Sequence, residues 1–223
     1  MLSFASSLSS DSEAFAIFVN DKFHFTDRNN VLSKEVKKKI NSYLSVLKDK
    51  KREEEITSFD ISSNQKCFII KVKRKYENYY PEEKGGIFYS YLKNFESIKK
   101  VDIYIDSLDF AQEEIVNFSS EFIFGWSLKS YTFDIYKTLN KKNSKKNTAF
   151  KIITSHKKKI EKKYKYNEAI KSGVFLTRDL VSEPGNILHP DEYAKRINSL
   201  KKHGLKINIY NENKLRKLGM NTL

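Results

Sequence analysis

The first third of the chain changes hydrophobic period twice. Ala14 to Asn20 is an unbroken apolar run ending at an Asn-Asp pair, and Lys22 to Phe25 alternates in character, so together they predict a hairpin. After Ser33, a good N-cap residue, Val36, Ile40, Tyr43, Leu44 and Leu47 return every three or four positions and predict an amphipathic helix over roughly residues 34 to 48. Cys67 to Val72 reads as a central strand buried on both faces in its middle. Lys73 to Lys84 is polar and turn-like, with Pro81 and Gly85-Gly86 as punctuation, and a second helix is expected within Ile87 to Ile98.

Val101, Ile103 and Ile105 alternate with Asp102, Tyr104 and Asp106, which predicts a strand with one wetter face. Ile115, Phe118, Phe122 and Trp126 form one stripe at helical spacing, the pattern of a core-facing helix. A Lys- and Asn-rich connector from Leu139 to Thr148 precedes a last strand, Ala149 to Thr154. Strands alternating with helices imply an α/β domain, a mixed sheet flanked by helices, over residues 1 to 155. Beyond it nothing but Gly173 interrupts a helical pattern from Lys157 to Val181, so residues 156 to 182 are expected to form a long connecting helix. Glu183-Pro184-Gly185-Asn186 ends that helix and Pro190 opens the next, with Tyr193, Ile197 and Leu200 as its buried stripe and Gly204 at its close. Leu205, Ile207 and Ile209 alternate as a strand, and Asn211 caps a short helix, so residues 183 to 223 read as the start of a second α/β unit.

Charge narrows the partners. The net charge of +14 would suit a polyanion, but the basic residues are nearly all Lys, with only Arg28, Arg52, Arg74, Arg178, Arg196 and Arg216 able to read phosphate or guanine bidentately. Lysine runs such as Lys37 to Lys39 and Lys157 to Lys159 read as solvated helix faces, so nucleic-acid binding is at most weak. The longest apolar runs, such as Phe68 to Ile70, fall far short of the ~20 residues of a membrane helix. Met1 to Ser10 lacks the basic start of a secretory signal, and a cytoplasmic protein without a membrane partner is expected.

Candidate chemistry is sparse. Cys67, the single cysteine, sits among Phe68, Ile69 and Ile70 as a core residue, with no possible internal disulfide. Asp102 and Asp106 share one strand face and could be a metal pair, yet no His or third carboxylate lies at ligand spacing, and an exposed or end-of-sheet strand face is the simpler reading. His24, His156, His189 and His203 are scattered and read as surface or capping residues. Gly85-Gly86 lacks the further Gly or Lys-Ser/Thr of a phosphate loop. No catalytic, cofactor-binding or metal residue is assigned.

Three stretches resemble the leucyl (cytosol) aminopeptidases of the M17 family. Residues 173 to 190, GVFLTRDLVSEPGNILHP, are similar to a helix ending in RDLVNEP that leads to an N-x-L-x-P turn; Arg178, Asp179, Leu180, Val181, Glu183, Pro184, Asn186, Leu188 and Pro190 match, while Ser182 and His189 stand where Asn and Thr are usual. Tyr131 to Thr138, YTFDIYKT, is similar to the YxFxxYKT segment that follows a glycine, here Gly125, in the family's first domain. The terminal KLGMNTL resembles the family's KLGM segment.

The resemblance implies a macro-like first domain joined to the beginning of a catalytic domain that, complete, holds two divalent cations (Mn or Zn) and releases amino-terminal residues from peptides, in a homo-oligomer, a hexamer by the same resemblance. The motifs that carry that chemistry, similar to KGxTFDSGG and NTDAEGRL, do not occur in these 223 residues. The expectation is therefore a truncated, inactive chain that binds no metal itself. Arg178 and Asp179, inside a helix near its end, are expected to form a supporting ion pair rather than a catalytic one. A nucleotide- or nucleic-acid-binding module and a non-catalytic assembly domain are the alternatives.

Overall fold

The computed structural model describes residues 2–49, 54–138 and 148–220. The chain divides into two compact units, Met1–Ser172 and Gly173–Leu223. The first contains a six-stranded sheet built from β1 (Leu2–Ala5), β2 (Ala14–Val19), β3 (Ile56–Ser62), β4 (Gln65–Lys71), β5 (Lys100–Tyr104) and β6 (Ala149–Ile153), in the order β1-β6-β5-β2-β4-β3. All neighbours pair in parallel except β3, which runs antiparallel to β4 at one edge.

Strand β2 shows why the sequence folds this way. Its six residues are all buried, Ala14, Ala16 and Phe18 toward one face and Phe15, Ile17 and Val19 toward the other, as a parallel strand covered by helices on both sides demands. On the first face lie α2 (Tyr80–Leu92), α3 (Gln112–Lys129) and the start of α4 (Lys157–Ser182); on the second lies α1 (Lys34–Asp49), through Ile40, Leu44 and Leu47. Phe18 meets Phe118 and Phe122 edge-on, with ring centroids 5.6 and 5.3 Å away. Such pairs add about 0.5–1.5 kcal/mol each beyond area burial. The helix stripe Ile115, Phe118, Phe122 and Trp126 is buried throughout, and Val36 N–H donates to Ser33 Oγ as the capping residue predicts.

Helices α2 and α3 touch backbone to backbone. A Cβ built on Gly125 would lie 1.8 Å from the Glu82 carbonyl oxygen, and one on Gly85 would lie 2.0 Å from that of Phe122. Only glycine permits this crossing, so Gly85-Gly86, expected to punctuate a turn, sit inside a helix. Helix α2 accordingly begins at Tyr80, ahead of the stretch from Ile87 in which it was expected, with Pro81 in its first turn where a missing N–H costs nothing, and ends at Leu92 within that stretch.

Four further differences from the sequence reading have physical causes. Lys22 to Phe25 is no hairpin strand: β2 already has β4 and β5 on its two edges, and the segment folds into a tight loop in which Asn20 Oδ1 accepts the Lys22 and His24 amides. Strands β1 and β3 carry little strand signal, because their residues, LSFA and ITSFDIS, have weak alternation and lie at the sheet's edges. The wetter face expected on β5 is dry, with Asp102 and Asp106 exposed by 2% and 4%. Leu205 to Ile209 is irregular and has no strand partner among the described residues. The connector expected over residues 139 to 148 lies, apart from Thr148, outside the described residues, as do residues 221 to 223.

The second unit is small. The end of α4, α5 (Pro190–Asn198) and α6 (Glu212–Lys217) are its helices, with Gly204 at φ +83° closing the turn after α5 and Asn211 Oδ1 accepting the Lys214 amide at 3.1 Å.

Candidate functional site

In an open α/β sheet, ligands settle beyond the carboxyl ends of the strands where successive connections leave on opposite faces. Here that point lies between β2 and β5: α1 leads away from β2 over one face toward β3, and α3 leads away from β5 over the other toward β6. The crevice is filled by the chain's own loop after β2. Thr26 donates its amide to the Ser107 carbonyl at 3.0 Å and its hydroxyl to that of Asp106 at 3.0 Å, and Asn29 Nδ2 donates to Asp106 Oδ2 at 2.9 Å.

Two carboxylates fasten this loop. Asp106 also accepts from Thr154 Oγ1 at 2.6 Å and from the Ser155 amide and hydroxyl, both at 2.8 Å. Buried and held by four donors, three of them on Oδ2, the carboxylate is fixed as an anchor for the loop. Asp27 accepts the Val31 and Leu32 amides and the Tyr104 hydroxyl, the last at 2.7 Å, and pairs with Lys37 at 2.6 Å. Burial pushes the Asp27 carboxyl up, but Lys37, Tyr104 and the two amides outweigh it and hold the group below the ordinary Asp value. Tyr104 is raised in turn by burial and by the Asp27 carboxylate that accepts its proton. Outside the filled crevice, a groove of about 560 Å3 remains between the loop and α1, lined by Phe23, His24, Phe25, Asn41, Ser45 and Lys48 among others. Phe23 adopts a left-handed backbone, φ +56°, to turn the loop there. Nothing in the spacing of these residues announced the groove, because its walls are a helix face and a loop that only the fold brings together.

The residues weighed from the sequence do not converge. Asp102, the middle residue of β5, is held by Ser9, whose amide donates at 2.5 Å. Asp106 lies just past the carboxyl end of the same strand. Among the described residues no three His, Cys, Asp or Glu side chains gather as a metal centre requires. His156 Nδ1 lies 3.1 Å from Gln112 Nε2, His189 precedes α5 as its N-cap residue, and His24 and His203 are exposed. Cys67 is fully buried, and burial raises its thiol well above the ordinary value, as befits a core residue.

Residues 173 to 190 occupy the last turns of α4, the turn after it and the first residue of α5. Arg178 and Asp179 sit within α4, both partly buried. Glu183, just beyond the helix, pairs with Arg196 Nη1 at 2.9 Å, while Arg196 Nε reaches Glu192 at 3.0 Å. One guanidinium thus bridges the turn to α5, and its two carboxylate partners raise its own proton affinity. Tyr131 to Thr138 follows α3 as an irregular segment with an Asp134–Lys137 ion pair.

No protein-family model matches the chain. Over 144 residues, 62% of its length, the chain is 38% identical to the probable cytosol aminopeptidase of Phytoplasma mali (strain AT) and covers 28% of that protein. It is 38% identical over 133 residues, 58% of its length, to the probable cytosol aminopeptidase of Agrobacterium fabrum, covering 26% of it. Among solved structures, a mutant of tomato leucine aminopeptidase superposes with a TM-score of 0.73 at 17% identity over 98% of this chain and 46% of that one. The bottromycin maturation enzyme BotP superposes with a TM-score of 0.60 at 13% identity, over 94% of this chain and 41% of its own. These superpositions speak for the fold alone. Among the described residues no helix is long and apolar enough to cross a membrane. By sequence the chain is similar to probable cytosol aminopeptidases, matching their N-terminal part and spanning little more than a quarter of the length of the curated relatives.

Proposed function

We propose that these 223 residues form the amino-terminal part of a cytoplasmic leucyl-type metallo-aminopeptidase, with the peptide-hydrolysing residues lying outside them. The observation that supports this most is the 38% identity over 144 residues to probable cytosol aminopeptidases of which the chain covers about a quarter. A two-metal peptidase needs several carboxylates converging on two cations, which then polarise the scissile carbonyl and generate hydroxide near neutral pH. Among the described residues Asp106 is held by four side-chain and backbone donors and Asp27 by three donors and Lys37, which supports a structural part for these two carboxylates. In this reading the chain's contribution is structural. Its first unit offers a rigid α/β body, and the Glu183–Arg196–Glu192 clasp fixes the course of the chain from α4 into α5. Manganese or zinc, peptide substrate and a homo-oligomeric assembly would belong to the larger protein.

A chimera tests this. Joined to the remainder of the Phytoplasma mali relative in place of its matching segment, this chain should yield a protein that releases leucine from a leucyl amide when manganese or zinc is supplied. The chain alone should release none. A soluble, metal-loaded chimera without activity would count against the proposal, as would metal-dependent hydrolysis by the purified 223-residue chain.

A further inference from the structure

We propose that the groove between the loop after β2 and helix α1 is a binding site for a small phosphate-bearing molecule with a planar ring, the chemistry of a nucleoside monophosphate. The place is the one the topology selects. The β2/β5 switch point is where this class of sheet opens to ligands, and with the crevice itself filled by Thr26 to Asn29 the accessible space shifts outward to the groove, whose volume of about 560 Å3 suits a small ligand.

The lining divides into groups already engaged and groups at liberty to bind. Asp27 and Lys37 neutralise each other at 2.6 Å, and the remaining acceptor capacity of Asp27 is taken by Val31, Leu32 and Tyr104. The groove therefore presents no uncommitted carboxylate. Asn41, Ser45 and Lys48 stand on one face of α1 at spacings of four and three, and with His24 across the groove they make no side-chain hydrogen bond to the described residues. Lys48 supplies a cation for a phosphate, His24 a second donor, and Asn41 and Ser45 paired donors and acceptors for a ring edge. Half-buried Phe25 gives the opposite wall its apolar surface, beside the buried Phe23, whose ring carries Lys71 Nζ at 4.8 Å. A zwitterionic amino acid is disfavoured, because its ammonium would find no free carboxylate. The inference stands apart from any peptidase role.

Isothermal titration of the 223-residue chain with AMP, ribose 5-phosphate and inorganic phosphate tests the proposal. AMP should bind at one site with a Kd in the micromolar to low millimolar range, ribose 5-phosphate about tenfold more weakly, and phosphate more weakly still. Lys48→Glu should weaken AMP binding by at least about tenfold and Asn41→Ala by several-fold. Both side chains are exposed, so the fold should survive, which an unchanged melting profile followed by Trp126 fluorescence verifies. Absence of saturable AMP binding, or equal affinity in the parent and Lys48→Glu, overturns the assignment. Tighter binding of phosphate than of AMP overturns the planar-ring part of it.

Discussion

Gly125→Ala should destabilise the first unit even though alanine is the better helix former. In an exposed helix interior the exchange gains about 1 kcal/mol from propensity. At Gly125 the added methyl would lie 1.8 Å from the Glu82 carbonyl oxygen, 2.5 Å from its carbonyl carbon and 2.8 Å from its Cα. All three atoms belong to the backbone of α2, which no rotamer change can move aside. To restore a contact near 3.5 Å the helices must separate by more than about 1.5 Å, which opens the packing of Phe88 against Phe122 and Trp126, whose ring centroids now lie 6.1 and 5.5 Å away. Overpacking of this kind costs about 1–3 kcal/mol and more where backbone must shift, so after the propensity gain a net loss of about 2 kcal/mol is expected. Gly173→Ala is the internal control. It lies in α4 with nothing within 4 Å of its built Cβ, and should gain about 0.5–1 kcal/mol. Trp126, the single tryptophan and 2% exposed at the crossing itself, reports urea unfolding of Gly125→Ala, and loss of helical circular dichroism is followed for both variants. Equal or greater stability of Gly125→Ala would refute the argument that glycine is there to let two backbones meet.

Asp27→Asn should cost about 1–3 kcal/mol at neutral pH, because the amide cannot pair with Lys37 and turns a donor toward one of the two loop amides. Since the folded Asp27 sits below its ordinary value, its contribution is complete above about pH 5 and is lost as pH falls through 4 toward the folded value; the stability gap between parent and variant should therefore narrow between about pH 5 and pH 2 in urea titrations, and a constant gap would contradict it. Any binding to duplex DNA should be weak, fall steeply with salt and vary little with sequence; a filter or anisotropy titration at physiological salt that found tight binding to one duplex over scrambled controls would instead favour a nucleic-acid role.

The periodic parts of this fold were legible because burial on one or two faces leaves a direct mark on residue choice. Helix α1 shows its buried stripe at Ile40, Leu44 and Leu47, and β2 shows a run without a polar residue. Helix α2 was legible only in its second half. Gly85 looks like a breaker until α3 supplies the Gly85–Phe122 contact, a relation 37 residues apart that no local window contains. Asp102 and Asp106 misled in the opposite sense. Alternating carboxylates normally mean solvent, but Asp102 in the middle of β5 meets Ser9, and Asp106 just past its end meets Thr154, Ser155 and Asn29, all from distant parts of the chain. Charge on a strand is a statement about donors within reach, and water is only one source of donors.

The second unit shows the complementary case, in which a pattern written for burial is present without burial. Leu205, Ile209 and Tyr210 are 55%, 48% and 51% exposed, Leu218 and Met220 are 51% and 46% exposed, and no described residue from 173 to 220 is buried. The caps are nevertheless in order: Pro190 opens α5, Gly204 closes the turn after it and Asn211 starts α6. Local signals act through hydrogen bonds within a few residues and need no partner, so they are satisfied here. An alternating apolar segment such as Leu205 to Ile209 becomes a strand only when neighbouring strands take up its amides and cover its side chains, and a lone segment cannot meet that requirement. Capping without a core is what local physics alone can build. Arg178 to Pro190, the stretch whose motif resembles that of the leucyl aminopeptidases, lie in this unit, where the Arg196 guanidinium held between Glu183 and Glu192 ties the turn to α5.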